Sequence, residues 1–548
     1  MPYLSDDLSQ KYARFPVFGG LNVYDAEDQV AEGEVTDSLN FLFEGKQART
    51  RPGLVVPANG LPALAAGDKV LLAGSLPFFP ALTASVGFVL AASGKLYKYT
   101  SDDPYNGLAL ATGSPGTAGY PVSYTTVNNK VLFGGQIGGA ILQDWNPVTN
   151  VVAPLGTNSY GYVATLLSRA LGANVISPGN ITTQVGWSAS GDETNWTTAD
   201  SGNQNLTDAT SGITGIGVIN NVWVILEESG IHLGTATGVA PPVGPVFRFE
   251  KFTDVVGNWY AGLAAFTAEQ CFFVGPDDVY MFDLRQITPI GQQIKDLLFT
   301  ALSLSGHNVS SLGVLSGYYG FVTADRNPLV RTAANNPSPV KPRWRYHIAP
   351  AFNAISAQIG AAQTVSAVLP HFVYDVAEQK WSVLRYGTLP VGLVMPLDRL
   401  AIFDQSGNSG TNLYRWDEGV PCEDAASLTG PLGVIEDPEM DYHVSKTLIK
   451  YRNYGATEGI SVTLTGERSD GTETSVTDNS QQFGTEPATE RWKRQYCITD
   501  ITGNLFQWRI DVPPGNKFAV NHVSLRYTEA SEYKGMIPPW VAPTSQQG

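Results

Sequence analysis

The side chains that most often carry catalysis are few in this chain, and none is spaced for it. No two of its six histidines stand two or four residues apart, the spacings at which a strand or helix presents two imidazoles to one metal ion. They are His232, His307, His347, His371, His443 and His522. The three cysteines, Cys271, Cys422 and Cys497, are too few and too scattered for a zinc site or a disulfide framework. We expect structural or surface histidines and small, buried cysteines.

Carboxylates and nucleophiles give no better candidate for catalysis. The sequence has no nucleophile elbow, no phosphate-binding loop and no dinucleotide-binding glycine motif. Asp277 and Asp278 are adjacent, but neighbours in a strand point to opposite faces. We therefore expect a β-turn in which an aspartate accepts backbone N–H groups. The prediction is a protein that is not an enzyme and uses no cofactor or metal.

Residues 187–196, WSASGDETNW, come close to the Asp-box of sialidase-type propellers, S-x-D-x-G-x-x-W. Counted back from Trp196, the box needs Ser, Asp and Gly where the chain has Ala189, Gly191 and Glu193. The register fails, and no set of arginines suited to clamping a carboxylate accompanies it. A glycosidase is therefore disfavoured.

One local cluster of basic and aromatic residues occurs in this acidic chain. Arg343, Trp344 and Arg345 lie near the end of 325–350, a segment rich in Pro and Asn that we predict to be a long loop. Because Arg and Trp are favoured anchors of interfaces, these three are the predicted contact residues for a neighbouring subunit. A phosphate contact, or a solvated loop packed on its own aromatics, is the alternative.

The elements that must position these residues follow from a hairpin pattern that recurs roughly every 46 residues. Asn128 and Asn220 each begin an Asn-Asn pair between two apolar β-type runs, and they lie 92 residues apart. The same strand–turn–strand shape returns around Ser85, Gln270 and Gly317. Such a period in an all-β sequence is typical of propeller blades of four strands each.

The predicted fold is therefore all-β, with four regions along the chain. Residues 1–54 form an N-terminal arm with strands that close the ring, and 55–425 form a β-propeller of about seven blades. Residues 426–535 alternate apolar and polar side chains over longer strands, which indicates a small antiparallel β-sandwich. Residues 536–548 form an extended tail. The one predicted helix is 287–302.

Composition narrows the possible partners. The net charge is −16, and only 15% of the residues are charged. This composition disfavours binding of nucleic acid, because phosphate binding needs clustered Lys and Arg. No apolar run reaches the ~18 residues that a membrane helix needs. The N-terminus lacks the pattern of a secretory signal, so we expect assembly in the cytoplasm.

Several segments resemble a family of phage tail-structural propellers, the podovirus tail-nozzle or packaged-DNA-stabilisation proteins. The opening GGLNVYDAEDQVAEGEVTDSLNFLFEGKQARTRPGL (19–54) resembles their Gly-Gly-Leu-Asn arm and its Arg-x-Arg-Pro-Gly-Leu closure. VGWSASGDETNW (185–196) resembles their Trp-Ser…Trp blade segment. ITGIGVINNVWVILEESGIHL (213–233) and FFVGPDDVYMFDLRQITPIGQQIKDLL (272–298) resemble a pair of their blades. The resemblance covers roughly residues 15–300.

The resemblance implies a structural virion protein in the viral tail, assembled in the host cytoplasm. As a ring, a hexamer in the family, it forms the lower tail channel between the portal-side adaptor ring and tail fibre or spike proteins. DNA passes through the lumen without specific binding, which suits an acidic chain of pI near 4.8. The alternatives are a glycan-binding or receptor-binding tail-associated propeller and a cellular scaffold propeller with a peptide-binding face.

Overall fold

The computed structural model describes most of the chain between Lys11 and Glu529. The described ranges are 11–17, 19–26, 29–31, 33–55, 70–76, 86–91, 94–100, 106–113, 123–134, 142–155, 159–177, 179–198, 200–239, 243–304, 317–325, 343–351, 370–386, 392–396, 400–404, 412–417, 422, 424–435, 440–453, 459–479 and 492–529. Strands dominate these ranges, so the all-β prediction is confirmed. The chain divides into two compact units: 54–379 with 385–417, called here the repeat unit, and 1–53 with 380–384 and 418–548, called the terminal unit.

The repeat unit consists of small antiparallel sheets that follow one another along the chain, seven in the part that the structure describes. The first three contain Val70–Leu76, Val86–Ala91, Leu96–Thr100 and Asn106–Leu110; Ser123–Val127, Lys130–Gly134, Gln143–Asn146 and Val151–Pro154; and Ser159–Leu166, Arg169–Ser177, Ile181–Trp187 and Gly202–Asn205. The fourth and fifth contain Ile213–Ile219, Val222–Glu227, Ile231–Ala236 and Phe247–Thr253; and Ala265–Phe266, Cys271–Val274, Val279–Phe282 and Ile287–Pro289. The sixth contains, within this unit, Gly317–Asp325, Arg343–Ala351 and His371–Asp375, and the seventh contains Gly392–Pro396, Leu400–Asp404, Asn412–Asp417 and Gly53–Val55.

The helix is shorter than the sequence indicated. Ile287–Pro289 is the last strand of the fifth sheet, a 3₁₀ turn covers Gln292–Ile294, and the α-helix spans Lys295–Leu304. The segment 287–302, predicted to be helical throughout, begins with a short strand. A few apolar residues fit the period of a strand as well as that of a helix.

The Asn-Asn pairs form the tight hairpin turns that their sequence predicts. Asn128 and Asn129 have φ of 44° and 62°, and Asn220 and Asn221 have 45° and 64°. Two consecutive positive φ angles match the right-handed twist of the flanking strands, and Asn tolerates them better than most residues. These turns connect the first two strands of the second and fourth sheets.

Successive sheets pack face to face, and the core lies between them. Between the first and second sheets, Phe88 meets the edges of Phe133 and Trp145 at centroid distances of 5.3 and 6.1 Å. Similar buried clusters join the second to the third sheet, the third to the fourth and the fourth to the fifth. The second, third and fourth sheets therefore bury both faces against their neighbours.

The first strands of neighbouring sheets lie side by side. Thr165 Oγ1 is 3.0 Å from Thr125 Oγ1, and a Cβ on Gly74 would lie 2.7 Å from the Tyr124 ring. The other contacting pairs are Ser159–Leu166 with Ile213–Ile219, Ile213–Ile219 with Ala265–Phe266, Ala265–Phe266 with Gly317–Asp325, Gly317–Asp325 with Gly392–Pro396, and Gly392–Pro396 with Val70–Leu76. The last pair connects the seventh sheet with the first.

The terminal unit has longer strands in two sheets of six strands each. One sheet has the order Lys493–Gly503, Tyr442–Asn453, Phe518–Glu529, Gln47–Thr50 and Phe41–Glu44, with Lys11–Pro16 also on Phe518–Glu529. The other has the order Glu473–Asp478, Ser461–Glu467, Leu505–Val512, Ala426–Thr429 and Asp37–Leu39, with Gly433–Val434 also on Leu505–Val512. Gly20–Leu21 and Glu34–Val35 form a parallel pair, and Lys380–Leu384 belongs to this unit.

The N-terminal strands have two kinds of partner. We expected 1–54 to contribute strands that close the ring of blades. Lys11–Pro16, Asp37–Leu39 and Gln47–Thr50 pair with C-terminal strands of the terminal unit. Buried Arg51 also belongs there, with Nη2 2.6 Å from Asp424 Oδ2. Gly53–Val55, the end of the same segment, joins the seventh sheet of the repeat unit, and for this strand the ring-closing role stays a prediction. The sequence cannot reveal this because the partner strands lie hundreds of residues away.

Candidate interaction surface

The predicted contact residues lie on a strand and not in a loop. Arg343–Ala351 pairs antiparallel with Gly317–Asp325 over nine residue pairs and then with His371–Asp375. The loop interpretation of 325–350 is therefore wrong for Asp325 and for 343–350, and 326–342 lie outside the described residues. The alternation of polar and apolar residues from 343 to 348 is a strand period that the neighbouring prolines obscure.

Arg345 has a partner inside its own sheet. The residue is 4% exposed, and its Nε lies 3.4 Å from Asp375 Oδ2. The other carboxylate oxygen of Asp375 accepts the N–H groups of Ala377 and Glu378 and so shapes the turn after the strand. Trp344 is half-buried. Arg345 thus stabilises the sheet, and the contact role of Arg343, Trp344 and Arg345 stays a prediction.

A chain of hydrogen bonds runs through the sixth sheet, where two histidines lie on adjacent strands. Thr323 Oγ1 is 2.7 Å from His347 Nε2, and His347 Nδ1 is 3.0 Å from His371 Nε2. His371 Nδ1 in turn is 3.0 Å from the hydroxyl of Tyr386. The ring of Phe321 stacks on His347, and burial lowers the pKa of His347 well below its usual value. His347 is therefore uncharged near neutral pH, and both histidines have structural roles in the hydrogen-bond chain.

His232 in the fourth sheet bonds two carboxylates. Its Nδ1 contacts Glu227, which is fully buried, and its Nε2 lies 3.0 Å from Asp208 Oδ1. Burial alone lowers the pKa of His232, but the bonds to Glu227 and Asp208 raise it above its usual value. Because both ring nitrogens are bonded to carboxylates, neither is placed to take a proton from a nucleophile.

The segment resembling an Asp-box connects two sheets. Lys130 Nζ, on the second sheet, lies 2.7 Å from Asp144 Oδ2 and 2.8 Å from Glu193 Oε1. Glu193 also accepts a hydrogen bond from Asn128, at the Asn-Asn turn. Trp196 donates from Nε1 to the Glu193 carbonyl oxygen. Glu193, at the position where the Asp-box has Gly, thus forms a buried bridge between neighbouring sheets.

Asp277 and Asp278 form the turn that the sequence predicts. Asp278 Oδ1 accepts the N–H groups of Val279 and Gly291, and Asp277 Oδ1 accepts the Tyr280 hydroxyl at 2.7 Å. Cys271, Cys422 and Cys497 are buried and free, as expected. His307 lies outside the described residues. Within the described ranges, no three His, Cys, Asp or Glu side chains are grouped to hold a metal ion.

The clearest candidate surface is a basic sheet face of the terminal unit, formed by three long strands and Lys11–Pro16. Strand register places its residues in rows, since directly paired residues share a face. One row is Tyr12, Arg526, Lys446 and Ile498; the next is Arg14, Ser524, Leu448 and Tyr496; the third is Pro16, His522, Lys450 and Arg494. Arg452 and Trp492 follow at the end. We call these residues the basic face.

Like charges stand directly opposite one another on the basic face. Lys446 pairs with Arg526, and Lys450 pairs with Arg494 on one side and His522 on the other. Burial and then the charges of Arg14, Lys450 and Arg494 lower the pKa of His522 to about 4. The described part of these rows contains no carboxylate, and Asp500 at the border is bonded to His443. The local potential is therefore strongly positive.

Aromatic and aliphatic side chains lie between the cations. The Arg452 guanidinium lies 4.4 Å from the Trp492 ring centroid, and Lys450 Nζ lies 5.7 Å from it. Tyr12, Tyr496 and Ile498 are 52%, 44% and 58% exposed. Such a mixture of Arg, aromatic and exposed apolar groups is typical of protein interfaces. No single segment of the sequence reveals the basic face, because its cations come from four separated strands.

Comparison with known proteins gives no family. No family model matches the chain, and no curated protein matches it. Among solved structures, Raptor from Chaetomium thermophilum is similar at 10% identity with a TM-score of 0.29, over 46% of this chain and 23% of that one. This likeness is too distant to bear on fold or function. The helix that the structure describes is too short to span a membrane.

Proposed function

We propose that this chain is a non-enzymatic structural protein of a phage tail. In this proposal the repeat unit is a β-propeller of seven blades and the terminal unit contains a β-sandwich. The protein assembles as a ring, taken as a hexamer from the resemblance, and forms the lower tail channel. This channel holds packaged DNA and lets it pass during ejection.

The observation that carries the proposal is the order in which the first strands of the sheets pack. Each contacts the next along the chain, and Gly392–Pro396 of the seventh sheet contacts Val70–Leu76 of the first. Blades in such an order cover each other's faces all the way round. Gly53–Val55, which precedes the first sheet, is the fourth strand of the seventh. A strand from one end of the repeat added to the other end supports a closed ring.

The charged groups of the repeat unit support a structural role. Glu193 with Lys130, Glu227 with His232 and Asp375 with Arg345 are buried pairs within or between sheets. Each stabilises a particular packing of strands and leaves no acid or base poised toward a cleft. The tail location rests on the resemblance of residues 15–300 to nozzle proteins. The adaptor ring and the fibre or spike proteins as partners rest on it too.

Electron cryomicroscopy of the purified full-length protein, and of phage particles containing it, tests the proposal. We expect rings with a central channel whose subunits each show seven blades. Virions that lack the protein should lose packaged DNA. Virions that lacked it yet kept their DNA and infected normally would exclude the nozzle role. A monomer that binds specifically on a glycan array would favour the receptor-binding alternative.

A further inference from the structure

We infer that the basic face binds an acidic part of the surface of a second copy of this chain, in a head-to-tail contact. The inference rests on the proposed ring, because a ring needs a contact of this type between neighbouring subunits. The inference specifies which surface of one subunit makes the contact and states that the surface it meets on the neighbouring subunit is acidic.

The charges of the basic face call for an anionic partner. Six cations, from Arg14, Lys446, Lys450, Arg452, Arg494 and Arg526, lie in adjacent rows of one sheet face. Like charges directly opposite each other destabilise a sheet. The Nε atoms of Arg452 and Arg526 are buried and, within the described residues, have no hydrogen-bond partner. A bound carboxylate-rich surface relieves the repulsion between these cations.

A protein surface fits this face better than a nucleic acid does. Ile498 and Tyr12 are more than half exposed and flank the row of Lys446 and Arg526, so the partner must cover apolar groups as well as charges. The chain has a net charge of −16 in spite of the six cations, so the rest of its surface is more acidic still. Each copy thus carries the complement of its own basic face.

Electrostatics also determines the symmetry of the contact. A two-fold contact centred on the basic face would place cation against cation across the interface. The basic face must therefore meet a different, acidic part of the neighbour. Contacts between two different patches of identical subunits continue from copy to copy until they close as a ring.

The test is sedimentation velocity of the full-length protein and of a variant with Lys446→Glu and Lys450→Glu. We expect the wild-type protein to form a ring and the variant to self-associate on the order of 100-fold more weakly, because like charges then face each other across the contact. The control is Lys46→Glu with Lys95→Glu, which makes the same change of charge at two exposed lysines outside the basic face and should assemble like wild type.

A mixing experiment tests the head-to-tail geometry. The variant keeps its acidic surface, so it should bind to the basic face of a wild-type copy and end the chain of contacts there. Titrating variant into wild type should convert rings into shorter species. If the variant alone fails to fold, by circular dichroism and melting temperature, the pair Lys446→Gln and Lys450→Gln replaces it.

Each other outcome has a separate meaning. A variant that forms rings as well as wild type overturns the inference and leaves the proposed ring intact. A wild-type protein that stays monomeric overturns both. A 30-base-pair DNA duplex is the second probe, with fluorescence anisotropy as the measurement. Binding of this duplex by wild type, lost in the variant, would overturn the inference in favour of a nucleic-acid surface.

Discussion

The Nδ1 atom of His347 lies 3.0 Å from the Nε2 atom of His371, and both rings are buried and stacked. One of these two nitrogens must donate a proton and the other must accept it. The hydrogen-bond chain from Thr323 to Tyr386 therefore excludes the state in which both rings carry two protons. In that state two cations would be in contact inside the repeat unit.

The fold should lose stability in mild acid. Burial, then the charges of His371 and Arg345, lower the pKa of His347 well below its usual value. A lowered pKa in the folded state means that stability is complete above about pH 6.5 and falls as the pH drops below it, by up to about 1.4 kcal/mol per pH unit for each such histidine. Urea unfolding at pH 7.5 and 5.0 measures this. His347→Gln should flatten the dependence, and an unchanged slope would contradict the role of this histidine.

His232 should give the opposite dependence of stability on pH. Burial lowers its pKa, but the bonds to Glu227 and Asp208 outweigh burial and raise it. The stability from this cluster is therefore complete below about pH 6.5 and is lost as the pH rises through the raised pKa. Glu227→Ala leaves His232 without its buried partner and should cost about 3–5 kcal/mol at pH 6. The control Glu250→Ala removes an exposed pair with Arg248 and should leave the urea midpoint unchanged.

The contribution of Lys130 to the free energy of unfolding should depend on Glu193, because the two side chains bridge the second and third sheets. Lys130 bonds Asp144 and Glu193 with little exposure of either carboxylate. Lys130→Ala and Glu193→Ala should each destabilise the repeat unit, and the double variant less than their sum. A double-mutant cycle should give a coupling of about 1–3 kcal/mol. Additive effects would mean that Glu193 acts through its loop alone.

Substitutions of Arg345 and Trp344 should have different effects, the first on the stability of the fold and the second on assembly. Arg345→Ala leaves Asp375 buried without its cation and should lower the melting temperature. Trp344→Ala should keep the fold and, if Trp344 anchors a neighbour, weaken incorporation into tails. The measurements are differential scanning fluorimetry and quantitation of the protein in purified particles. A stable, fully incorporated Trp344→Ala would remove this residue from the predicted interface.

Deletion of residues 1–50 should abolish soluble expression. The deletion removes Lys11–Pro16, Phe41–Glu44 and Gln47–Thr50 from one six-stranded sheet and Asp37–Leu39 from the other. The exposed edges left behind on Phe518–Glu529 and Ala426–Thr429 favour aggregation. A soluble truncated protein with unchanged circular dichroism would contradict this.

Local signals of the sequence predicted local structure well. The Asn128 and Asn220 turns follow from residues that tolerate positive φ. Leu167 and Ser168 adopt the same two positive φ angles, 50° and 57°, in the third sheet. No turn signal in the sequence indicates them, since a Leu is rare in that conformation and only the flanking strands impose it. The sequence therefore predicts the repeat of about 46 residues, but it does not predict every hairpin turn within that repeat.

Long-range pairing could not be predicted from the sequence. The basic face exists because Arg14 lies beside Ser524, and Lys450 beside both Arg494 and His522. Each strand alone is a solvated strand with a few cations. Only their register, which is set by packing between residues far apart in the chain, brings six positive charges together.

The pairing of Lys11–Pro16 with Phe518–Glu529 also has a consequence for synthesis. Arg14 and His522 contact each other across 508 residues, so the first strand leaves the ribosome on the order of 25–100 s before its partner exists. The sheets of the repeat unit are local and can form during that interval. The basic face cannot, because Arg526 is made after all of these sheets. Chains that stop shortly before Arg526 therefore lack this surface, although they contain the whole repeat unit.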